Sequence, residues 1–156
     1  AMTGWRVGYC AANKTLAKIM SNYLSHSTGA PSTISQWASV EALTGPQDGI
    51  EAMRKAFLER RDYIVSRINE IPGVSCIVPN GAFYVMMNIE KLVGKTLGGK
   101  LIENDDDFAV ALLEKALVAV VPCSGFGMKN FVRWSYAASM ENIQKGLDRL
   151  EKFVTE

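Results

Sequence analysis

The sequence is poor in the residues that staple or metallate small domains. Its 3 cysteines, Cys10, Cys76 and Cys123, are an odd number with no CxxC spacing, which argues against a disulfide framework or a zinc site. Reduced thiols in a cytoplasmic protein are the plain reading. His26 is the single histidine and lies in a Ser/Thr/Gly context without clustered carboxylates or thiols. It reads as a surface residue, and no metal is expected. An excess of one charge is also missing. With 17 Lys and Arg against 16 Asp and Glu, the formal net charge is +1, which gives no electrostatic case for nucleic acid or an anionic membrane. No apolar run approaches the roughly 20 residues of a membrane span. Internal repeats and low-complexity tracts are lacking as well.

What remains is a chain of 156 residues, 48% of them hydrophobic. That length suits one domain, or one domain plus part of another, and the apolar content supports a real core. Residues 5–10 read as a short strand. Asn13 caps a helix whose Leu16, Ile19, Met20, Tyr23 and Leu24 recur at helical spacing. After a polar loop, Pro31 or Ser32 opens a second helix that Thr44-Gly45-Pro46 stops. A long helix is expected from about Gln47 to Ile71. Ile50, Met53, Phe57, Ile64, Ile68 and Ile71 share one face, and Arg54, Lys55, Glu59, Arg61, Asp62 and Arg67 form a solvated face of mixed sign.

Strands near 74–78 and 82–89 follow, the second apolar on both faces, as a covered or domain-interface strand would be. Residues 91–104 have little periodicity and read as a mobile insertion. Asp105-Asp106-Asp107 opens a helix, where carboxylates suit the positive helix N-terminus. Its expected buried face is Phe108, Ala109, Leu112, Leu113 and Ala116. Val118 to Val121 reads as a short buried strand ended by Pro122, and residues 124–130 as a Gly-rich loop. Phe131 to Tyr136 is a strand, and Ser139 caps a last helix with Met140, Ile143, Leu147, Leu150 and Val154 inward. The fold class is therefore α+β: three or four short strands with helices on one side.

Two arginines stand out. Arg6 lies in a short apolar run between Gly4 and Gly8, and a guanidinium there needs an anion. From the residues alone, a salt bridge to a distant carboxylate is the favoured partner. Arg133 follows a Gly-rich loop on a short strand. Alternation puts it with Ser135 on one face, and Val132, Trp134 and Tyr136 on the other. By itself it reads as an ordinary edge charge.

The segment Ala1-Met2-Thr3-Gly4-Trp5-Arg6-Val7-Gly8-Tyr9 resembles the class I pyridoxal-phosphate aminotransferases, in the bacterial-type aspartate aminotransferase branch. Pro79-Asn80-Gly81-Ala82-Phe83-Tyr84, Val120 to Gly127 and Phe131 to Ala137 extend the resemblance over essentially the whole chain. The family's fuller motif reads S-K-x-x-A-M-T-G-W-R, so its Schiff-base lysine is expected just upstream of Ala1 and no catalytic residue is assigned within this chain. Ala1 is either the family's own alanine or a residue left by a purification tag. The resemblance implies the C-terminal portion of a fold-type I enzyme, with an α/β fold in the parent. Residues 1–45 would be a remnant of the large cofactor-binding domain, and 46–156 the C-terminal small domain, with helices on a small, mostly antiparallel sheet.

The resemblance also implies roles. Arg6 matches the arginine that binds the phosphate of pyridoxal 5'-phosphate, for which a planar donor fork suits. Arg133 matches the arginine that grips the substrate α-carboxylate, making amino acids and 2-oxo acids the substrates. Gly125, Phe126 and Gly127 resemble a loop near the substrate entrance, where Cys123 replaces a common glycine. Trp5, Tyr9 and Tyr84 read as core or interface aromatics. Residues 27–36 resemble a segment near the partner subunit's active site, but Ala30-Pro31 replaces an asparagine-proline pair and no role is carried over. The implied reaction is a ping-pong amino transfer in a homodimer, by default between aspartate and 2-oxoglutarate, with the cofactor ring as electron sink. An aromatic amino acid or alanine aminotransferase is the alternative parent. Without the lysine, the chain alone is expected to be inactive. Two rival readings are a non-catalytic α+β module that holds a carboxylate ligand on Arg133, and a self-associating proteolytic product.

Overall fold

The structure, a computed structural model, describes residues 2–156; Ala1 lies outside the described residues. Two compact units divide the chain, Ala1–Gly49 and Ile50–Glu156.

In the first unit the expected strand over residues 5–10 does not form. Thr3–Trp5 is a turn of 3-10 helix that ends on Arg6 in the left-handed region (φ 51°), and residues 6–10 are irregular. A strand needs a neighbour to take its hydrogen bonds, and among the described residues no strand in this unit provides one. Helix α1 spans Lys14–Ser27, and the Asn13 side chain accepts a hydrogen bond from the Leu16 N–H as the cap. Helix α2 spans Thr33–Thr44. The apolar stripe of α1 is correct in period, but none of its residues is buried. Tyr9 is 82% exposed and Trp5 46%, so neither is a core aromatic within this chain. The buried member of α2 is polar: Ser35 donates its hydroxyl to the Trp5 carbonyl at 2.8 Å.

The second unit contains the core. Helix α3 spans Asp48–Glu70, α4 Asp105–Ala116 and α5 Met140–Thr155. Strands β1 (Ser75–Cys76), β2 (Tyr84–Asn88), β5 (Val121–Pro122) and β6 (Phe131–Ser135) form one sheet in the order β1-β2-β6-β5, with every pairing antiparallel. Val85 and Met87 of β2 and Val132 and Trp134 of β6 point one way. They pack with Ile64 and Ile68 of α3, Phe108 and Leu112 of α4, and Ile143, Leu147 and Leu150 of α5. Helices cover this face, as the α+β reading requires.

Several local expectations change. Residues 91–104 are anchored: β3 (Thr96–Leu97) and β4 (Lys100–Leu101) form a hairpin, and Leu92, Leu97 and Ile102 are buried. The Gly98-Gly99 pair is the hairpin signal, and both glycines have positive φ. A Cβ at Gly98 would lie 2.8 Å from the Lys115 side chain, so the turn closes directly on α4. Strand β5 comprises Val121–Pro122 instead of 118–121, and Pro122 lies inside it. Its place at the sheet edge explains why a residue without an N–H is tolerated. On α4, Leu113 is exposed and Ala111 is buried. On α5 the inward set also includes Phe153, beside the expected Val154, which is partly buried against the core. On α3, Ile50 and Met53 are exposed. Arg67 is not freely solvated; it donates to Asp148 at 3.1 Å and Glu151 at 2.7 Å, tying α3 to α5.

Truncating Ile68 tests where the stability lies. Ile68→Ala is expected to cost about 2–5 kcal/mol, whereas Ile19→Ala on exposed α1 stays within about 0.5 kcal/mol. Urea unfolding of both variants measures this, and equal losses would contradict the division drawn here.

Candidate functional site

Strand alternation builds the site on the sheet face turned away from the helices. In the β2–β6 register Met86 stands opposite Arg133 and Tyr84 opposite Ser135, and on the other side Val121 stands opposite Arg133. Arg133 thus lies on a central strand, not at an edge, and is half-buried. Its Cζ lies 4.5 Å from the Tyr84 ring centroid and 5.4 Å from that of Phe126. Among the described residues no carboxylate lies within ion-pair distance of it. The two rings contribute roughly 0.5–2 kcal/mol each by cation–π attraction. They orient the guanidinium without neutralising it, and its edge keeps donors for an anion.

Phe126 reaches this position from the 3-10 turn Ser124–Phe126, which is moored to Asp105. The Asp105 residue is 0% exposed. Its carboxylate accepts hydrogen bonds from the Cys123 and Ser124 N–H groups, both at 2.7 Å, and from the Ser124 hydroxyl. Burial pushes the carboxyl up, but the Ser124 hydroxyl and the N–H donors of Ser124, Asp105 and Cys123 hold it below the usual aspartate value. From sequence this residue reads only as a helix-terminal charge. The available signal was Asn104, whose side chain already caps α4 by accepting from the Asp107 N–H, leaving Asp105 for another task. Tyr84, read as core or interface, is half-buried beneath Arg133.

Cys123 departs from the family's common glycine without strain, since its φ of −109° suits any residue. It is fully buried. Burial, together with the nearby Asp105, raises its thiol, partly offset by Arg133. That fits a packed residue and not a reactive thiol. In the Pro79–Tyr84 segment the Ala82 carbonyl accepts from the Tyr136 hydroxyl at 3.0 Å.

Arg6 lies in the first unit and is exposed. Its Nη1 donates to the Thr3 carbonyl at 3.2 Å, and among the described residues no acidic side chain pairs with it. The Ser35 bond to Trp5 pins the backbone just before it. The expected salt bridge to a distant carboxylate is absent among the described residues, and the unpaired fork fits a phosphate chemically. No group of three or more metal-ligating side chains occurs among the described residues, and none of the described helices is long and apolar enough to cross a membrane.

The chain belongs to the class I and II aminotransferase family, whose profile matches residues 1–150. It is 44% identical over 154 residues to the aspartate aminotransferase of Bacillus sp. (strain YM-2), covering 99% of this chain and 38% of that one. With the aspartate aminotransferase of Rhizobium meliloti (strain 1021) it shares 47% over 151 residues, covering 96% of this chain and 37% of that one. The crystal structure of the Rhizobium meliloti aspartate aminotransferase superposes with a TM-score of 0.89 at 44% identity, over 99% of this chain and 39% of that one. The alanine aminotransferase of Pyrococcus furiosus gives a TM-score of 0.82 at 35% identity, over 99% of this chain and 39% of that one. The chain thus spans about two-fifths of the length of the relatives it matches.

Two measurements follow from the site. A carboxyl depressed by folding takes up its proton first in the unfolded chain. Its contribution to stability is complete above the ordinary aspartate value of about 3.9 and is lost as the pH falls through the lower folded value. Asp105→Asn should flatten this acid limb in urea midpoints taken from neutral into acid pH; an unchanged limb would exclude Asp105 as the titrating group. With a thiol reagent, Cys10 should react at once, half-buried Cys76 more slowly, and Cys123 only on unfolding. Fast reaction of Cys123 in the native chain would contradict its burial.

Proposed function

We propose that this chain acts as the C-terminal part of a pyridoxal-phosphate-dependent aminotransferase that moves an amino group between L-aspartate and 2-oxoglutarate. The observation that carries this reading is Arg133. Its guanidinium is half-buried, unpaired among the described residues and lies over two aromatic rings, those of Tyr84 and Phe126. Such a fork binds a carboxylate in its own plane through two parallel N–H···O bonds. Both substrates share an α-carboxylate, so one arginine serves both half-reactions. The family membership and the names of the relatives support the amino and 2-oxo acid classes.

Arg6 supplies the second contact in this proposal, donating to the phosphate of pyridoxal 5'-phosphate. When bound, that cofactor provides the electron sink for amino transfer. The segments 1–45 and 46–156 are assigned to the large-domain and small-domain parts of the parent, and the parent to a cytoplasmic homodimer. The exposed apolar side chains of α1 and α2 support a partner surface in residues 1–45.

Relatives named probable aspartate/prephenate aminotransferase, such as that of Rickettsia conorii at 45% identity, favour a second reading in which prephenate is also accepted. The alanine aminotransferase likeness makes a third substrate worth assaying. Arg133 contacts the carboxylate common to all of these and does not choose among them.

Kinetics on the full-length enzyme test the assignment. Arg133→Lys should raise KM for aspartate and 2-oxoglutarate by on the order of 10- to 100-fold, because an ammonium cannot reproduce the bidentate fork. Unchanged KM values for both would reject the role of Arg133. The 156-residue chain alone should show no turnover of this pair above a protein-free blank.

A further inference from the structure

We propose that Asp105 is a positioning residue of the carboxylate site, holding the Phe126 ring over the Arg133 guanidinium through the Ser124–Phe126 turn. The functional consequence rests on the reading of Arg133 as the carboxylate-binding side chain; the geometric coupling does not.

Three observations support it. The first is where the Asp105 carboxylate spends its lone pairs. Toward α4, which Asn104 caps, they take only the N–H of Asp105 itself; their other donors are at residues 123 and 124, at the start of the turn that presents Phe126. The Asn130 N–H, at the far end of the same loop, approaches the other carboxylate oxygen at 3.4 Å. One carboxylate therefore closes the loop from both ends. The second is that Phe126 has little else to hold it. It is 66% exposed, so apolar burial does not fix the ring over Arg133. The third is the absence of a cation within ion-pair distance of Asp105 among the described residues. Its partners are neutral donors, and those at residues 123, 124 and 130 fix the loop conformation.

The coupling matters because an arginine side chain carries about 2 kcal/mol of rotamer entropy. Two rings within 4.5 and 5.4 Å of its Cζ restrict the guanidinium before the ligand arrives, so less is lost on binding. If Asp105 loses its donors, the 3-10 turn relaxes, Phe126 leaves and that restriction is weakened.

The test reads the coupling directly. In the 156-residue chain, the Arg133 Nε–Hε resonance is shifted by ring currents from Tyr84 and Phe126. Phe126→Ala should move it, Asp105→Asn should move it in the same direction, and the double variant should add little beyond Phe126→Ala. Ser124→Ala, which removes only the hydroxyl bond, should move it less; this variant carries the test if Asp105→Asn fails to fold. In the full-length enzyme, Asp105→Asn should raise KM for both carboxylate substrates roughly fivefold to tenfold, with a smaller fall in kcat, and this rise should vanish in a Phe126→Ala background. The proposal is overturned if neither Asp105→Asn nor Ser124→Ala moves the resonance while Phe126→Ala does, or if the KM effect persists in full without Phe126. Unchanged KM in Arg133→Lys would instead remove the functional reading and leave the measured coupling in place.

Discussion

The pairing of β2 with β6 is the constraint on which the rest of the second unit depends. Its register sends Val85, Met87, Val132 and Trp134 toward α3, α4 and α5, and Tyr84, Met86, Arg133 and Ser135 to the other face. Because side chains alternate with period two, the packing of the core also decides where the guanidinium goes. A slip of one residue would drive Arg133 among the helices and expose the valines. The site is thus specified by the same hydrophobic energy that holds the sheet.

Two charges in this unit are handled in opposite ways. The Asp105 carboxylate is wholly buried and saturated with hydrogen-bond donors. Arg133 is half-buried and receives only the faces of two rings. Cation–π attraction of roughly 0.5–2 kcal/mol per ring is comparable to one charged hydrogen bond of about 1.5–3 kcal/mol. It steadies the side chain and leaves its donor edge able to take an anion.

Periodicity made most of this second unit legible. The long helix, the two helices after it, the strands around residues 84–88 and 131–135, and the cap at Ser139 all follow from spacing and short polar signals, as does the cap at Asn13 in the first unit. Three features were not legible, each for a physical reason. Residues 5–10 have strand composition, but composition cannot provide a hydrogen-bonding neighbour. Residues 91–104 looked mobile because the buried Leu92, Leu97 and Ile102 are spaced by a hairpin and not by a regular element. Asp105 was hidden among three acidic residues, and only the fold separates the one turned inward from the two beside it. The Arg133–Tyr84–Phe126 arrangement lies between these cases. Alternation gave the face of Arg133, but its aromatic neighbours come from a paired strand and a distant turn.

The missing apolar burial in α1 and α2 has a consequence for how the chain breathes. A lone helix of 14 residues is near the length at which helices are only marginally formed in water, and α1 has no buried side chain to add stability. Its backbone amides are therefore protected by local opening energies close to zero, while those of β2 and β6 are released only when the sheet comes apart. Deuterium uptake would divide the polypeptide into a fast-labelling stretch and a slow-labelling one. Whatever covers the exposed stripe of α1 would be detected first as a slowing of that fast phase, before any change in the sheet.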